Sequence, residues 1–335
     1  MRQQDICGVL EDLPRNAKHL ENLAISSFVP ARASFELKLP THGLPYLRRL
    51  VTANSIRISA ENMLNVASFR YVQELALNLH PDFDAEALRD APYNTFPVLQ
   101  RLSITAYDLP QCISLVTLVS SPRLHELSVS YDIQATPSTV TSLISAVGTS
   151  LRSISVRHCI QDNTIADAPF IFSPATFLPL LASRNLRSIK VYNLGTLNLD
   201  DEFIISAAKA WTKLEEIQLC SLPWTSIIPN ISLNSLAALT QHCPQLTRIH
   251  LALDARDVPE LPIENLNVAD AQPPQVLNIR NSVVGHTEPV AQFLRAVMPN
   301  MKVLSVEASQ ELRDKWIEVK ACYDRLQVGP LLDGP

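Results

Sequence analysis

A hexamer of the form L-x-x-L-x-L, with other aliphatic residues allowed, recurs along the chain from Leu20 to Val306. Eleven copies align, and eight of the ten steps between their first positions are 25 to 28 residues long. A random apolar sequence would not keep so constant a step. Repeats of this period predict a stacked architecture, in which each unit buries its apolar side chains only against its neighbours.

Proline supports the same register. It stands two residues before the first hexamer position in five copies, at Pro45, Pro97, Pro122, Pro244 and Pro299. Proline cannot continue a helix and favours extended backbone in the residue before it. These prolines therefore mark where one helix ends and the next strand begins. The second and tenth copies are imperfect, because Thr52 and Pro274 replace aliphatic residues.

Between hexamers the apolar period changes from 2 to 3.6 residues, which indicates helices. The clearest examples are Val140, Leu143, Ile144 and Val147, and Val290, Phe293, Leu294 and Val297. Thr136-Pro137 and Ser173-Pro174 each predict an N-cap followed by proline at the first helical position. Asp200, Asp201 and Glu202 predict another helix start, where negative charge is favoured.

The sequence thus predicts an α/β fold: a leucine-rich-repeat solenoid, curved and right-handed, with a parallel inner sheet, outer helices and about 11 repeats. Residues 1–19 are expected to form the helix of a partial first repeat, and residues 20–309 the repeats. Residues 310–328 are expected to form a C-terminal capping helix, and residues 329–335 a disordered tail. The capping helix is predicted from an apolar face of Leu312, Trp316, Val319, Tyr323 and Leu326.

Composition narrows the function class. A chain of 335 residues with 47% hydrophobic content can bury a large core, and a net charge of −5 argues against binding nucleic acid. We find no signal peptide and no apolar run long enough for a membrane span. The six cysteines are scattered, with no CxxC pair, which favours reduced thiols in the cytoplasm or nucleus.

The sequence shows no motif of a known catalytic or cofactor site, such as GxxxxGK[ST], GxGxxG, HExxH or GxSxG. His158-Cys159 and His242-Cys243 are the only neighbouring His-Cys pairs. Adjacent strand side chains point to opposite faces, and the second pair lies at a helix end, so a shared metal site is not expected. We predict no enzymatic activity, no cofactor and no metal, and we interpret Asp200–Glu202 as a helix cap.

A partner surface is expected on the concave face, where alternate strand residues point. Those residues are mostly small in the first half of the chain. From the sixth repeat onward they are larger: Arg157, Lys190, Tyr192, Glu216, Gln218, Arg248, His250, Asn278 and Arg280. This basic patch with one aromatic suggests a site for an acidic or phosphorylated segment of a partner protein. The alternative is an ordinary solvated strand face.

Two repeats are longer than the rest and gain residues around Gln161–Phe172 and around Leu222–Ile231. Both insertions follow a strand and precede a helix, so both fall on one rim of the predicted solenoid. Insertions on a single face often form the binding surface of repeat proteins. The second contains Trp224, a residue type frequent in binding hot spots. The alternative is that this insertion folds inward and buries Trp224.

The repeats resemble those of the fungal F-box/leucine-rich-repeat proteins of mushroom-forming fungi. The resemblance covers nearly the whole chain and is carried by SSPRLHELSV, HCPQLTRIHL, LDDEFIISAAKAWTKLEEIQL at 199–219, and ELRDKWIEV near the end. In that family an F-box docks a Skp-type adaptor on a cullin–RING ubiquitin ligase, and the repeats recruit a substrate. The resemblance implies that role here.

The chain departs from the family in one respect. An F-box would show a Leu-Pro-x-Glu type of opening and about forty residues of helix, whereas Leu13-Pro14 is followed directly by the first repeat strand. A Skp-type adaptor is therefore an expected partner only if an F-box lies upstream. Two hypotheses remain: the substrate-recognition region of an F-box-type ubiquitin-ligase adaptor, and a stand-alone leucine-rich-repeat scaffold for protein binding.

Overall fold

The structure is a computed structural model of the chain. It describes residues 10, 12–13, 15–26, 35–39, 44–53, 55–84, 88, 95–159, 170–221, 228–260, 274–307 and 309–328. The chain divides into two compact units, residues 1–163 and residues 164–335. We describe each unit by itself.

The first unit is a parallel sheet with helices in the connections. The strands are β1 (Asn22–Ile25), β2 (Phe35–Glu36), β3 (Arg49–Thr52), β4 (Ile56–Ile58), β5 (Glu74–Leu79), β6 (Arg101–Ala106), β7 (Glu126–Tyr131) and β8 (Ser153–His158). Six of them pair in the order β1-β3-β5-β6-β7-β8. The short strand β4 pairs with both β2 and β5. Among the described residues, its helices with complete bounds are α1 (Ala60–Ala67), α2 (Leu109–Leu118) and α3 (Pro137–Ala146).

The second unit repeats the arrangement. Its strands are β9 (Ile171–Phe172), β10 (Ser188–Tyr192), β11 (Thr196–Leu197), β12 (Glu216–Cys220), β13 (Arg248–Leu251), β14 (Asp254–Ala255), β15 (Val276–Arg280), β16 (Val283–Val284) and β17 (Val303–Glu307). Five of them pair in parallel in the order β10-β12-β13-β15-β17, and two small parallel sheets join β9 to β11 and β14 to β16. Its helices are α4 (Pro174–Phe177), a 3₁₀ helix (Leu178–Ala182), α5 (Asp201–Ala210), α6 (Leu233–His242), α7 (Thr287–Val297) and α8 (Gln310–Val328).

The hexamers set the strand register. Equivalent positions lie directly beside one another, so that Leu50 pairs with Leu75 on the next strand and Ile249 pairs with Leu277. These four side chains are buried completely. A ladder of identical positions lets each repeat cover the aliphatic side chains of the one before it. This arrangement confirms the predicted leucine-rich-repeat fold within each unit.

The imperfect second hexamer is compensated by a neighbouring repeat. Thr52 is buried, and its hydroxyl donates to the carbonyl oxygen of Ala76 at 3.3 Å. The amide of Asn78, also buried, donates to the Thr52 hydroxyl at 3.3 Å and to the carbonyl oxygen of Ala53 at 2.7 Å. Because both polar side chains find partners, the hydroxyl is tolerated at an aliphatic position.

The predicted helix starts are largely confirmed. The Thr136 hydroxyl accepts from the backbone N–H of Thr139 at 3.2 Å, and the Asp200 carboxylate accepts from that of Phe203 at 2.9 Å. Ser173 occupies the predicted N-cap position but makes no side-chain cap bond. The α-helix that follows it, α4, is only four residues long and continues as the 3₁₀ helix.

Helix α8 packs through Trp316 and Tyr323, which are fully buried. The Trp316 indole donates to the carbonyl oxygen of Ser282 at 3.0 Å, and the Tyr323 hydroxyl donates to that of Met298 at 2.7 Å. The sequence pattern places Leu326 on the same face, but Leu326 is 41% exposed, and Cys322 is buried instead. Within the described residues, no helix is both long and apolar enough to cross a bilayer.

Candidate protein-binding surface

Alternate side chains of the second-unit strands point away from the buried aliphatic ladder and form what we call the open face. Six residues predicted to bind a partner lie on it: Lys190 and Tyr192 on β10, Glu216 on β12, Arg248 and His250 on β13, and Arg280 on β15. The seventh, Arg157, is an exposed residue of β8 in the first unit. The eighth, Trp224, lies outside the described residues, as do 160–169 and 222–227 of the two insertions.

The strand register brings the open-face residues into contact along one row. Lys190 pairs with Gln218, Gln218 with His250, and His250 with Asn278. Side chains directly opposite each other on neighbouring strands lie within reach of hydrogen bonds. The row therefore joins four successive repeats through long polar side chains.

Glu216 is the centre of the charged contacts on this face. Its carboxylate lies 2.7 Å from the ammonium of Lys190 and accepts a hydrogen bond from the Gln218 amide at 2.7 Å. The guanidinium of Arg248 is 3.9 Å away. The Glu216 side chain is 13% exposed, whereas that of Arg248 is 60% exposed. Arg248 thus keeps most of its surface in water while Glu216 is enclosed by its neighbours.

His250 contacts two amide groups of the row. Its Nε2 lies 3.4 Å from the amide nitrogen of Gln218 and within hydrogen-bond distance of the amide nitrogen of Asn278. Burial lowers the pKa of His250; Glu216 and Glu307 oppose this shift, and Lys190 and Arg248 add to it. A lowered pKa favours the neutral imidazole at pH 7, whose unprotonated nitrogen can accept a hydrogen bond from an amide donor.

Gln218 is the most enclosed polar residue of the row and is 6% exposed. Its amide nitrogen is used by Glu216 and His250, while its buried amide oxygen has no hydrogen-bond partner among the described residues. An unsatisfied buried oxygen has a free-energy cost comparable to a lost hydrogen bond.

Arg280 forms a second charged cluster. Its Nε donates to the Glu307 carboxylate at 2.8 Å, and its Nη1 donates to the carbonyl oxygen of Ser221 at 3.2 Å. Lys190, Arg248 and Arg280 therefore face two carboxylates, Glu216 and Glu307. The part of the predicted basic patch in the second unit is largely compensated in charge, and Arg248 is the most exposed of these three cations.

The sequence pattern did not predict Glu307 as a site residue, because a search for large basic residues does not reveal their acidic partners on the next strand. The repeat register contains the signal, since Arg280 and Glu307 each directly follow their hexamer and pair with each other. A similar contact between charged residues on neighbouring strands occurs in the first unit and was not predicted either. There Glu74 accepts from Arg49 at 2.9 Å and from Arg101 at 2.5 Å, across three adjacent strands.

A pocket lies beside Arg280, at the carboxyl ends of β12 and β15, and is lined in part by Cys220, Ser221 and Asn281. Cys220 ends β12 and follows Glu216 and Gln218 in the same alternation. Burial raises the pKa of Cys220 to about 11; Arg280 lowers it in part, and Glu307 raises it. The thiol is therefore protonated at neutral pH and is a poor nucleophile.

The two His-Cys neighbours do not converge on a common site. His158 Nε2 lies 3.0 Å from the carbonyl oxygen of Asp132. The Cys243 thiol is buried against the carbonyl oxygens of Ala208 and Trp211, and burial raises its pKa to about 12. Across the described residues, no group of three His, Cys, Asp or Glu side chains could hold a metal ion.

Comparison with known proteins gives only distant structural similarity. No protein-family model matches the sequence, and no curated protein matches it. Among solved structures, the chain is similar to one in the complex of Rad7 and Elc1 from yeast, with 16% identity, 93% of this chain and 86% of that chain covered, and a TM-score of 0.35. It is also similar to the leucine-rich-repeat-containing protein LegL7 from Legionella pneumophila, with 13% identity, 92% and 98% coverage, and a TM-score of 0.36. Similarity this distant transfers neither a partner nor an activity to this chain.

Proposed function

We propose that this chain is a non-enzymatic scaffold that binds another protein on the open face of its second unit. The binding residues are Lys190, Tyr192, Glu216, Arg248, His250 and Arg280, with Arg157 and Trp224 as further contacts outside that face. The observation that carries the proposal is the row of long polar side chains which the register brings together on four successive strands.

The chemistry of the face favours an acidic or phosphorylated segment of the partner. Arg248 presents a mostly exposed guanidinium, which can bind a carboxylate or phosphate through two hydrogen bonds. Lys190 and Arg280 are already paired with Glu216 and Glu307. A partner anion would therefore meet Arg248 first and would compete with the two glutamates for the other cations.

In its narrower form, the proposal makes this chain the substrate-recognition region of an F-box-type ubiquitin-ligase adaptor in the cytoplasm or nucleus. The resemblance of its repeats to the fungal F-box/leucine-rich-repeat proteins supports this form. The second candidate is a stand-alone leucine-rich-repeat scaffold with no ligase contact.

The experiment for the binding face is a quantitative pull-down from a fungal lysate, with proteins identified by mass spectrometry. The bait is the full chain, compared with Arg248→Glu and with a variant in which Arg157, Lys190, Arg248 and Arg280 are all replaced by Ala. Arg313→Glu serves as the matched control, because Arg313 is an exposed arginine on α8.

We expect one set of proteins to be captured by the unchanged chain and by Arg313→Glu, and lost with both open-face variants. Circular dichroism and thermal melting must show that all variants are folded. If the fourfold variant captures the same proteins in the same amounts, the open face is not the binding surface.

The ligase role is tested separately by mixing the full chain, and any longer product of its reading frame, with a purified Skp-type adaptor. Co-elution in gel filtration would support the ligase form. Failure of the longest product to co-elute would favour the stand-alone scaffold.

A further inference from the structure

The outer edge of β17 presents an unused half of a parallel ladder. On its inner side β17 pairs with β15 over five residues, from Val276↔Val303 to Arg280↔Glu307. In the part of the chain that the structure describes, no strand pairs with its other side. An edge of this kind is a template for one more strand.

The alternation of backbone hydrogen bonds between β15 and β17 shows which backbone groups of β17 face outward. The N–H of Val303 donates to the carbonyl oxygen of Gln275 at 3.0 Å, and the carbonyl oxygen of Glu307 accepts from the N–H of Asn281 at 3.0 Å. In a parallel pair, alternate residues use both their N–H and their C=O toward the same neighbour. Val303, Ser305 and Glu307 therefore bond to β15, and the N–H and C=O groups of Leu304 and Val306 point to the free edge.

The side chains of the same two residues are also incompletely covered. Leu304 and Val306 are half-buried, whereas the equivalent Leu277 and Ile279 on β15 are 0% and 1% exposed. Val303 beside them is 47% exposed. Inner strands are covered on both sides by neighbouring repeats, and β17 is covered on one side only. An added strand with aliphatic side chains would complete this burial.

Positive charge surrounds the amino end of β17. Lys302 is exposed, and it lines a surface groove together with Arg295, Lys320 and Asp324. Asp324 is paired with Lys320 at 2.5 Å, and these four residues together carry a net charge of +2. A segment that entered along this edge would be favoured if it carried an acidic residue at its amino end.

The edge of β10 that faces β12 carries the same pattern as the outer edge of β17. On β10 the pattern is Arg187, Ile189 and Val191, and on β17 the equivalent residues are Lys302, Leu304 and Val306. Beside β10, β12 places Ile217 and Leu219 opposite Ile189 and Val191. Glu215, just before β12, binds Arg187 at 2.7 Å. The complement of a basic–aliphatic–aliphatic edge is thus an acidic–aliphatic–aliphatic strand.

We infer that the outer edge of β17 binds an extended segment of a partner protein as a further parallel strand. The segment has an acidic residue opposite Lys302 and aliphatic residues two and four positions later, opposite Leu304 and Val306. This mode of recognition obtains affinity from main-chain hydrogen bonds and selectivity from alternate side chains. It is independent of the open face and of any ligase role.

The test uses the full chain and a fluorescein-labelled peptide with the sequence of Lys213–Leu219, KLEEIQL, which carries the complementary pattern. Fluorescence anisotropy should show saturable binding. Hydrogen exchange should slow at the amides of Leu304 and Val306, because these are the N–H groups that the added strand would engage. A labelled KLEKIKL peptide, which replaces Glu216 and Gln218 with Lys but keeps Glu215 and the aliphatic residues, should retain binding.

Val306→Pro is the decisive variant, because the Val306 N–H faces outward and its loss leaves the bonds to β15 intact. It should weaken peptide binding roughly ten-fold while the chain remains folded. Lys302→Glu should also weaken binding, and a KLKEIQL peptide, with Lys in place of Glu215, should restore it to that variant. This charge exchange tests the edge even if the proline variant fails to fold.

Three results would overturn the inference. The first is the lack of saturable binding at millimolar peptide, and the second is equal affinity for the unchanged chain and a folded Val306→Pro. The third is sedimentation showing that the chain self-associates through this edge and dissociates in Val306→Pro. In that last case the occupant is a second copy rather than a different protein.

Discussion

The carboxylate of Asp201, in the first turn of α5, caps the next helix of the second unit through Ser235. It accepts hydrogen bonds from the Ser235 hydroxyl at 2.5 Å and from the backbone N–H of Ser232 at 2.7 Å. Ser235 is completely buried. Two adjacent acidic side chains thereby fix the starts of two successive helices, because Asp200, beside Asp201, caps α5 itself.

Asp201→Ala should therefore destabilise the protein by about 2–3 kcal/mol, since it leaves a buried hydroxyl and a helix N–H without their acceptor. The measurement is the free energy of unfolding in urea. Glu202→Ala, which removes an exposed carboxylate from the same turn, is the matched control and should change stability by less than about 0.5 kcal/mol. If Asp201→Ala and Ser235→Ala have strictly additive effects, the two side chains are not coupled as described.

The packing of α8 depends on Trp316, which fills a fully buried site and donates to the carbonyl oxygen of Ser282. Trp316→Ala should cost about 3–5 kcal/mol, because it opens a large cavity. Trp316→Phe should cost less, because much of the ring packing is kept. Ile317→Ala is the control at the adjacent position, where the side chain is 57% exposed. Thermal melting should place Ile317→Ala close to the unchanged chain, and an equal loss in both alanine variants would contradict this assignment.

The pH dependence of stability should reveal the His250 contacts. Burial lowers the pKa of His250 in the folded chain below its usual 6.5, so the unfolded chain takes up the proton first as the pH falls. The contribution is complete above about pH 6.5 and is lost as the pH drops toward the folded value. Urea unfolding at pH 7 and pH 5 should show a smaller loss for His250→Gln than for the unchanged chain.

His286→Gln is the control for that experiment, because His286 is an exposed residue before α7. It should keep the pH dependence of the unchanged chain. The groups that face His250 are Glu216, Glu307, Lys190 and Arg248. If His250→Gln shows the same slope as His286→Gln, the imidazole is not held neutral by its surroundings.

The Arg49–Glu74–Arg101 ladder should stabilise the first unit modestly. Burial would raise the pKa of Glu74, but hydrogen bonds and charges from Arg101 and Arg49 lower it overall. Its contribution is therefore present above its usual pKa and is lost as the pH falls through the folded value. Glu74→Gln should cost about 1 kcal/mol at pH 7, and less in high salt or in acid.

The control for Glu74 is Glu126→Gln, because the Glu126 side chain is 47% exposed and lies on the neighbouring β7. Its effect should be smaller at every pH. A Glu74→Gln variant that is as stable as the unchanged chain in low salt would show that the ladder contributes nothing.

The repeat step, the strand positions and most helix starts could be read from the sequence because they depend on local chemistry. Aliphatic period, proline position and capping residues act within a few neighbouring residues. The hexamer around Leu277 illustrates this, since its alternate residues are buried as the pattern predicts. The prediction that Leu326 is buried was wrong for a physical reason. Leu326 follows the helical pattern but lies near the end of α8, beyond the surface that buries Trp316.

The sequence alone determined that every repeat must hide its aliphatic residues against the next, because no single strand and helix can bury them. It also placed the large polar side chains on one face of the sheet. Only the tertiary structure decided which of these charges cancel. Lys190 meets Glu216, and Arg280 meets Glu307, through residues far apart in sequence that the parallel register brings side by side. Charge compensation depends on distance in space, and a repeat pattern fixes that distance only once the strands have paired.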